Sequence, residues 1–208
     1  MYRSHPPVRF QLPLASVSHA SPLPPTEPCP HCGSLGFNVH HKGSKSIKDP
    51  LIHQVPVTRY RCKRCGWVGR RYPAGIDSGR QSLRLKQLSV ILYRVGLSLQ
   101  NIRSALNDLD CPLSMTSIRH NVMMDMISVN TPLPHEPDRL RMSPLGEGRF
   151  SGPDGALEIR LVSASPLEQW LEIEVAPGPA TSNISRRLED CTKYLATSSS
   201  LSHSHQKV

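Results

Sequence analysis

Along the chain, the spacing of apolar and polar positions changes its period twice. Up to about residue 73 there is no helical periodicity, and Gly36, Gly43, Pro50 and Pro56 break the longer runs. Val55, Val57, Tyr60 and Trp67 suit a pleated, half-buried surface, so this part is expected to form short strands. From 78 to 128 the period becomes helical. Leu88, Ile91, Leu92 and Val95 form one stripe on a helix expected over about 80–93, which Gly96 ends. Ser98 is placed to cap a second helix carrying Leu99, Ile102 and Leu106, and Cys111-Pro112 stops it. Ser114 is placed to cap a third, with Met115, Ile118, Val122, Met126 and Val129 facing inward and Thr116, Ser117, Arg119, His120 and Asn121 outward. Beyond 143 period two returns over 156–162 and 170–175, with a short run at 145–150. A helix capped by Ser182 and carrying Ile184, Leu188, Cys191 and Leu195 follows.

These rhythms predict a multidomain α+β chain. Residues 1–24, rich in Pro and Ser, are expected to be a disordered leader. A ribbon of strands over 25–76, a three-helix unit over 77–129, a Pro-rich linker over 130–143, a β-β-β-α segment over 144–196 and an unstructured tail over 197–208 complete the division. Twenty prolines and an aromatic share of 5% favour small cores joined by linkers over one large core. Half of such a sheet would leave an unpaired edge and an uncovered apolar face. Within the ribbon, the basic insert 42–48 reads as a flexible loop.

Charge sharpens the picture. The net charge is +9, and the ribbon concentrates it, with nine basic against two acidic residues over 25–76. Residues 129–208 carry eight basic against ten acidic, so the sign reverses along the chain. A polyanion, most commonly nucleic acid, is the partner such a ribbon fits; a merely solvated basic face is the plainer reading. The start of the chain lacks a secretory apolar core and no run approaches the length of a membrane span, which points to an intracellular protein without a membrane partner.

The candidate chemistry lies in the ribbon. Cys29-Pro30-His31-Cys32-Gly33 and Cys62-Lys63-Arg64-Cys65-Gly66 are two Cys-x-x-Cys-Gly knuckles, and four thiolates at this spacing point to a structural tetrahedral Zn²⁺ held by Cys29, Cys32, Cys62 and Cys65. A redox motif needs only one pair, and a disulfide framework needs a secreted chain. His31, His40, His41 and His53 read as solvent or phosphate contacts beside four cysteines. Arg59, Arg61, Lys63, Arg64, Arg70 and Arg71 crowd the second knuckle as candidate phosphate contacts. Thr116, Ser117, Arg119, His120 and Asn121 would read bases if the three helices form a helix-turn-helix; an ordinary three-helix bundle shares the periodicity. Glu158, Glu172 and Glu174 read as the wet face of a sheet.

The run Tyr60-Arg61-Cys62-Lys63-Arg64-Cys65-Gly66-Trp67, then Tyr72-Pro73-x-Gly75, Ser82-x-Arg84-Leu85-Lys86-x-Leu88, Gly96-Leu97-Ser98 and Cys111-Pro112-Leu113-Ser114, resembles the amino-terminal half of bacterial insertion-sequence transposases. The resemblance covers about residues 27–127. It implies a zinc ribbon and helix-turn-helix that recognise terminal inverted repeats on double-stranded DNA, followed by a ribonuclease-H-like DDE domain using Mg²⁺. The first carboxylate of that domain matches either Glu147, before Gly148, or Asp154, before Gly155. The second and third belong to elements expected after the last residue of this sequence. On that expectation the chain is a truncated or degenerate transposase that binds DNA without strand transfer, alone as a homo-oligomer or with a full-length transposase, in a prokaryotic cytoplasm. A stand-alone zinc-ribbon and helix-turn-helix regulator or adaptor is the alternative.

Overall fold

A computed structural model describes residues 6–129, 139–163 and 169–201. Two antiparallel sheets and four helices build them. The first sheet has three strands in the order β2-β3-β4, with β2 at Phe37–Ser46, β3 at Gln54–Cys62 and β4 at Val68–Arg71. The second has five, in the order β1-β8-β7-β6-β5. Here β1 is Val8–Pro13, β5 Ser143–Gly146, β6 Arg149–Gly152, β7 Gly155–Ser163 and β8 Gln169–Val175. Helices α1 (Leu83–Val95), α2 (Leu99–Asp108) and α3 (Met115–Val129) lie between the sheets in sequence, and α4 (Thr181–Leu201) follows β8.

Helix ends fall where capping chemistry puts them. Ser82 accepts from the Leu85 N–H, so α1 starts three residues later than its periodicity suggested. Gly96 closes it at φ +112°, a left-handed conformation that costs glycine little. Ser98 accepts from the Asn101 N–H and Ser114 from the Ser117 N–H, as their positions predicted. Ser182 is not the start of α4. The Ile184 N–H already bonds the Ala180 carbonyl at 2.9 Å, and the Thr181 hydroxyl accepts from the Gly178 N–H.

Several sequence expectations are overturned. The leader is not disordered over its described part. Residues 8–13 form β1, paired antiparallel with β8 from Val8↔Val175 to Pro13↔Trp170. Leu12, Leu14 and Val17 supply the apolar contacts that its Pro and Ser content concealed, each less than a tenth exposed. The insert 42–48 is no loop, because β2 continues through Ser46 and pairs with β3 down to Ser46↔Gln54. The 145–150 run is not one strand either. It is a hairpin, with Glu147 at φ +53° in the turn between β5 and β6.

Nor do the three-helix unit and the second sheet have separate cores. Leu85, Leu88, Ile91 and Leu92 of α1 belong to one buried cluster with Ile118, Phe150, Ile159, Ile173, Ile184 and Leu188. β1 adds a strand beside β8, leaving β1 and β5 as the two edges of the sheet, and α4 packs on β1 and β8 while α2 packs on β5, so the uncovered apolar face expected of a partial sheet does not occur at those strands. Of the Pro-rich linker, 130–138 lies outside the described residues, while Leu140 and Met142 at its end are buried in the main cluster. The side chains of Met126 and Val129 also lie outside the described residues, as do 202–208 of the tail; 197–201 continue α4.

The first sheet is fastened to this body by a buried ion pair. Arg84 Nε donates to Asp49 Oδ2 at 3.1 Å and its Nη2 to Oδ1 at 3.2 Å, both side chains being fully buried. Asp49 Oδ1 also accepts from the Leu51 and Ile52 N–H groups, so the carboxylate is satisfied on every side. A small second cluster of Val17, Ile47, Ile52 and Val55 packs beside it.

Candidate metal centre and basic face

The two knuckles are built alike. In the first, Gly33 N–H bonds the Cys29 carbonyl at 2.8 Å and Cys29 N–H bonds the Ser34 carbonyl. In the second, Gly66 N–H bonds the Cys62 carbonyl at 3.1 Å and Cys62 N–H bonds the Trp67 carbonyl. Gly33 and Gly66 sit at φ +72° and +77°, the turn each knuckle needs to bring its second cysteine back toward the first. Strand pairing Phe37↔Cys62 sets the two knuckles face to face.

The result is a compact four-sulfur group. Cys29 Sγ lies 3.7 Å from Cys65 Sγ, Cys32 Sγ lies 3.6 Å from Cys62 Sγ, and all four fall within 4.8 Å of one another. A tetrahedral thiolate site with bonds of about 2.3 Å has sulfurs roughly 3.8 Å apart, so the four cysteines can hold a metal ion. The electrostatics agree. The Cys65 N–H, helped by the Arg64 N–H and the neighbouring thiols, brings the Cys62 thiol down to about 6 against the effect of burial. Although the Trp67 N–H lowers it, desolvation and the three other thiols push Cys65 up to about 12. Four sulfurs this close cannot all carry negative charge without a cation among them. Among the described residues this is the one such gathering of Cys, His, Asp or Glu, and none of the four candidate histidines belongs to it.

Around this centre the basic residues separate by strand parity. Thr58, Tyr60 and Cys62 turn to the buried face of β3, which leaves Arg59 and Arg61 on the other. Arg59 lies directly across from Arg70 on β4 and from His41 on β2; Arg61 lies across from Val68 and Asn38. Lys63 and Arg64 project from the tip of the second knuckle. The ribbon has only two acids, and neither serves this face: Glu27 pairs with Arg71, and Asp49 with Arg84. Among the described residues, Arg59, Arg61, Lys63, Arg64 and Arg70 make no ion pair, while Arg71 points to the other side of the sheet and is neutralised there.

On α3, Thr116, Arg119 and His120 are exposed. Ser117 is spent locally, its hydroxyl 3.0 Å from that of Ser114. Asn121 does not face outward. It is buried and donates to Gln81 Oε1 at 2.8 Å and toward Ser89 Oγ, tethering α3 to α1. Met115, expected inward, is 40% exposed. The helix is also held at its far end, where Asp125 bonds Arg94 of α1 at 2.9 Å and accepts from the Tyr194 hydroxyl of α4.

Both candidate carboxylates stand in turns. Glu147 is at the tip of the β5–β6 hairpin, exposed and paired with Arg149 at 2.9 Å, while Gly148 beside it docks on Asp108 of α2. Asp154 lies between β6 and β7, accepting from the Arg141 N–H. Sequence reading missed the Asp49–Arg84 clamp. Its signal was a lone acid in an otherwise basic insert, followed by Pro50. Glu158, Glu172 and Glu174 do form the wet face of the second sheet. Compared with known protein families, curated proteins and solved structures, the chain matches none.

Proposed function

We propose that the protein binds duplex DNA through a zinc-stabilised ribbon and a helix-turn-helix made of α1, α2 and α3. One observation carries this reading: Arg59 and Arg70 stand directly across from each other, and neither makes an ion pair among the described residues. Like charges opposed across strands cost about 0.2–1 kcal/mol, and such an arrangement is relieved when phosphates supply the counter-charge. An all-sulfur tetrahedral set suits Zn²⁺, which then fixes the row rigidly. On α3, Thr116, Arg119 and His120 are the groups free to meet base edges, with Arg119 suited to guanine.

Placement among insertion-sequence transposases is part of the proposal, supported by the knuckle and helix motifs and by the strand-strand-strand-helix order of β6, β7, β8 and α4. Strand transfer is not assigned to this chain. Glu147 and Asp154 stand in separate turns, and no set of three carboxylates gathers among the described residues. A stand-alone regulator or adaptor is favoured by a different observation, namely that β1 adds a fifth strand to the second sheet and α4 packs on β1 and β8.

Anisotropy titrations with labelled duplex DNA test the reading. Affinity is expected to fall steeply with salt and with chelation, and Arg59→Ala with Arg70→Ala to reduce the log–log salt slope by about 1 per contact removed. Metal analysis is expected to give one zinc per chain. Salt-independent binding, or binding unchanged by removal of the metal, overturns it.

A further inference from the structure

The ribbon has a second feature on the face opposite the arginine row. Trp67 lies two residues before Gly69, and its six-membered ring curls over the Gly69 α-carbon, where any Cβ would run into it. Gly69 pairs with Tyr60, so the indole lies on the Tyr60 side of the sheet. Tyr60 itself is buried, its hydroxyl donating to the Pro22 carbonyl at 2.8 Å. The indole is therefore backed by strand, with 37% of Trp67 exposed. The backbone around it is fixed, since its carbonyl accepts from Cys62 and its N–H points at Cys65 Sγ. Lys63 and Arg64, free of carboxylates, occupy the tip of the same knuckle.

We propose that Trp67 is a stacking platform for an unpaired base of a DNA strand whose phosphates lie on Lys63 and Arg64. A flat, pre-ordered aromatic surface with adjoining cations is what a splayed nucleotide needs. Every base offers a π-face, so no particular sequence is required. An ordered ring also loses little side-chain freedom when a base stacks on it. The ribbon then has two working sides: arginines for duplex backbone, and the indole for a base turned out of a frayed or melted end. This assignment rests on the proposed DNA binding.

The experiment uses the whole metal-loaded chain with Trp170→Phe, which leaves Trp67 as the one tryptophan. A single-stranded oligothymidylate and a blunt duplex are titrated separately, following indole fluorescence and anisotropy. The single strand is expected to quench Trp67 strongly, and Trp67→Leu to weaken single-strand binding on the order of 10-fold with duplex affinity changed less than about 2-fold. Leu keeps apolar cover over Gly69 without a π-face, and an unchanged zinc content shows that the knuckle is intact. Trp67→Phe is expected to recover part of the loss. Single-strand binding without quenching, or unaffected by Trp67→Leu, overturns the platform while leaving duplex binding standing. Absence of binding to either DNA overturns both.

Discussion

In the five-stranded sheet each outward arginine has a glutamate within reach: Arg9 stands across from Glu174 and bonds it at 2.8 Å, and Arg160 stands across from Glu172 while bonding Glu158 at 2.8 Å. In the three-stranded sheet Arg59 stands across from Arg70 and from His41, and among the described residues neither arginine makes an ion pair. The backbone geometry is the same and the consequence opposite. One outer face neutralises itself and needs only water; the other is a fixed excess of positive charge. Their interiors differ as well. The larger sheet buries Phe150, Ile159, Leu171 and Ile173 in one cluster with residues of α1 and α4, whereas the smaller has beside it only a four-residue cluster and the sulfur group. A sheet that cannot close an apolar core has to be held by something else, here one buried ion pair and four cysteines placed where they could hold a metal ion.

Metal removal is the strongest way to break that comparison. Metal binding in small modules contributes on the order of 10 kcal/mol, so chelation is expected to erase amide-exchange protection in β2, β3 and β4 while β7 and β8 keep theirs. Loss of protection in both sheets together would show that they do not draw on separate sources of stability. The converse substitution, Ile173→Ala, is expected to cost about 2–5 kcal/mol in urea unfolding and leave metal content unchanged.

Next in size is the clamp. Arg84→Met leaves the Asp49 carboxylate buried without its partner and is expected to cost about 3–5 kcal/mol. Adding Asp49→Asn removes the stranded charge and keeps an amide oxygen for the Leu51 and Ile52 N–H groups, so the double variant is expected to recover part of the loss. A cost under about 1 kcal/mol for the single variant contradicts the role given to the pair.

Those two fasteners also mark what the chain could and could not disclose. Cysteines at fixed spacing followed by glycine report a local geometry, and they meet as their spacing predicts. Caps at Ser98, Ser114 and Gly96 are local for the same reason. By contrast Val8–Pro13 became a strand through a partner more than 150 residues away, and no local propensity carries that information. Asn121 deceived for a related reason. Its place in α3 suggested an outward polar residue, but Gln81 and Ser89 come from another part of the chain to satisfy it in the interior. The choice between Glu147 and Asp154 had no local answer either, and both lie in turns.

A finer division concerns the thiols. Desolvation, then the nearby Asp49 and Asp110, pushes Cys111 up to about 12, and desolvation does the same for Cys191. Between an unfolded value of about 8.5 and the folded value, the native state keeps a proton that the unfolded state has lost. Stability is therefore expected to fall as pH rises past about 8.5, by up to about 1.4 kcal/mol per pH unit for each thiol. Urea unfolding at stepped alkaline pH checks this, with Cys111→Ala and Cys191→Ala each removing one share of the slope. A slope untouched by either substitution places the alkaline loss elsewhere.

The smallest expected effect tests the comparison most directly. Arg59→Glu sets an acid between Arg70 and His41, giving the three-stranded sheet the kind of pair its neighbour already has. It is expected to stabilise that sheet by about 0.2–1 kcal/mol while weakening duplex DNA binding and lowering the salt slope by about 1. Glu172→Arg does the reverse in the five-stranded sheet, setting an arginine across from Arg160, and is expected to destabilise by a similar amount. Residual structure in the metal-free ribbon would blur the first measurement, so both are read by urea unfolding with saturating zinc. Opposite signs for the two substitutions mean that the arginine row is kept at a cost to the fold, as a surface that a polyanion completes. If Arg59→Glu instead destabilises, the row is already in balance with its surroundings, and the main physical ground for DNA binding disappears.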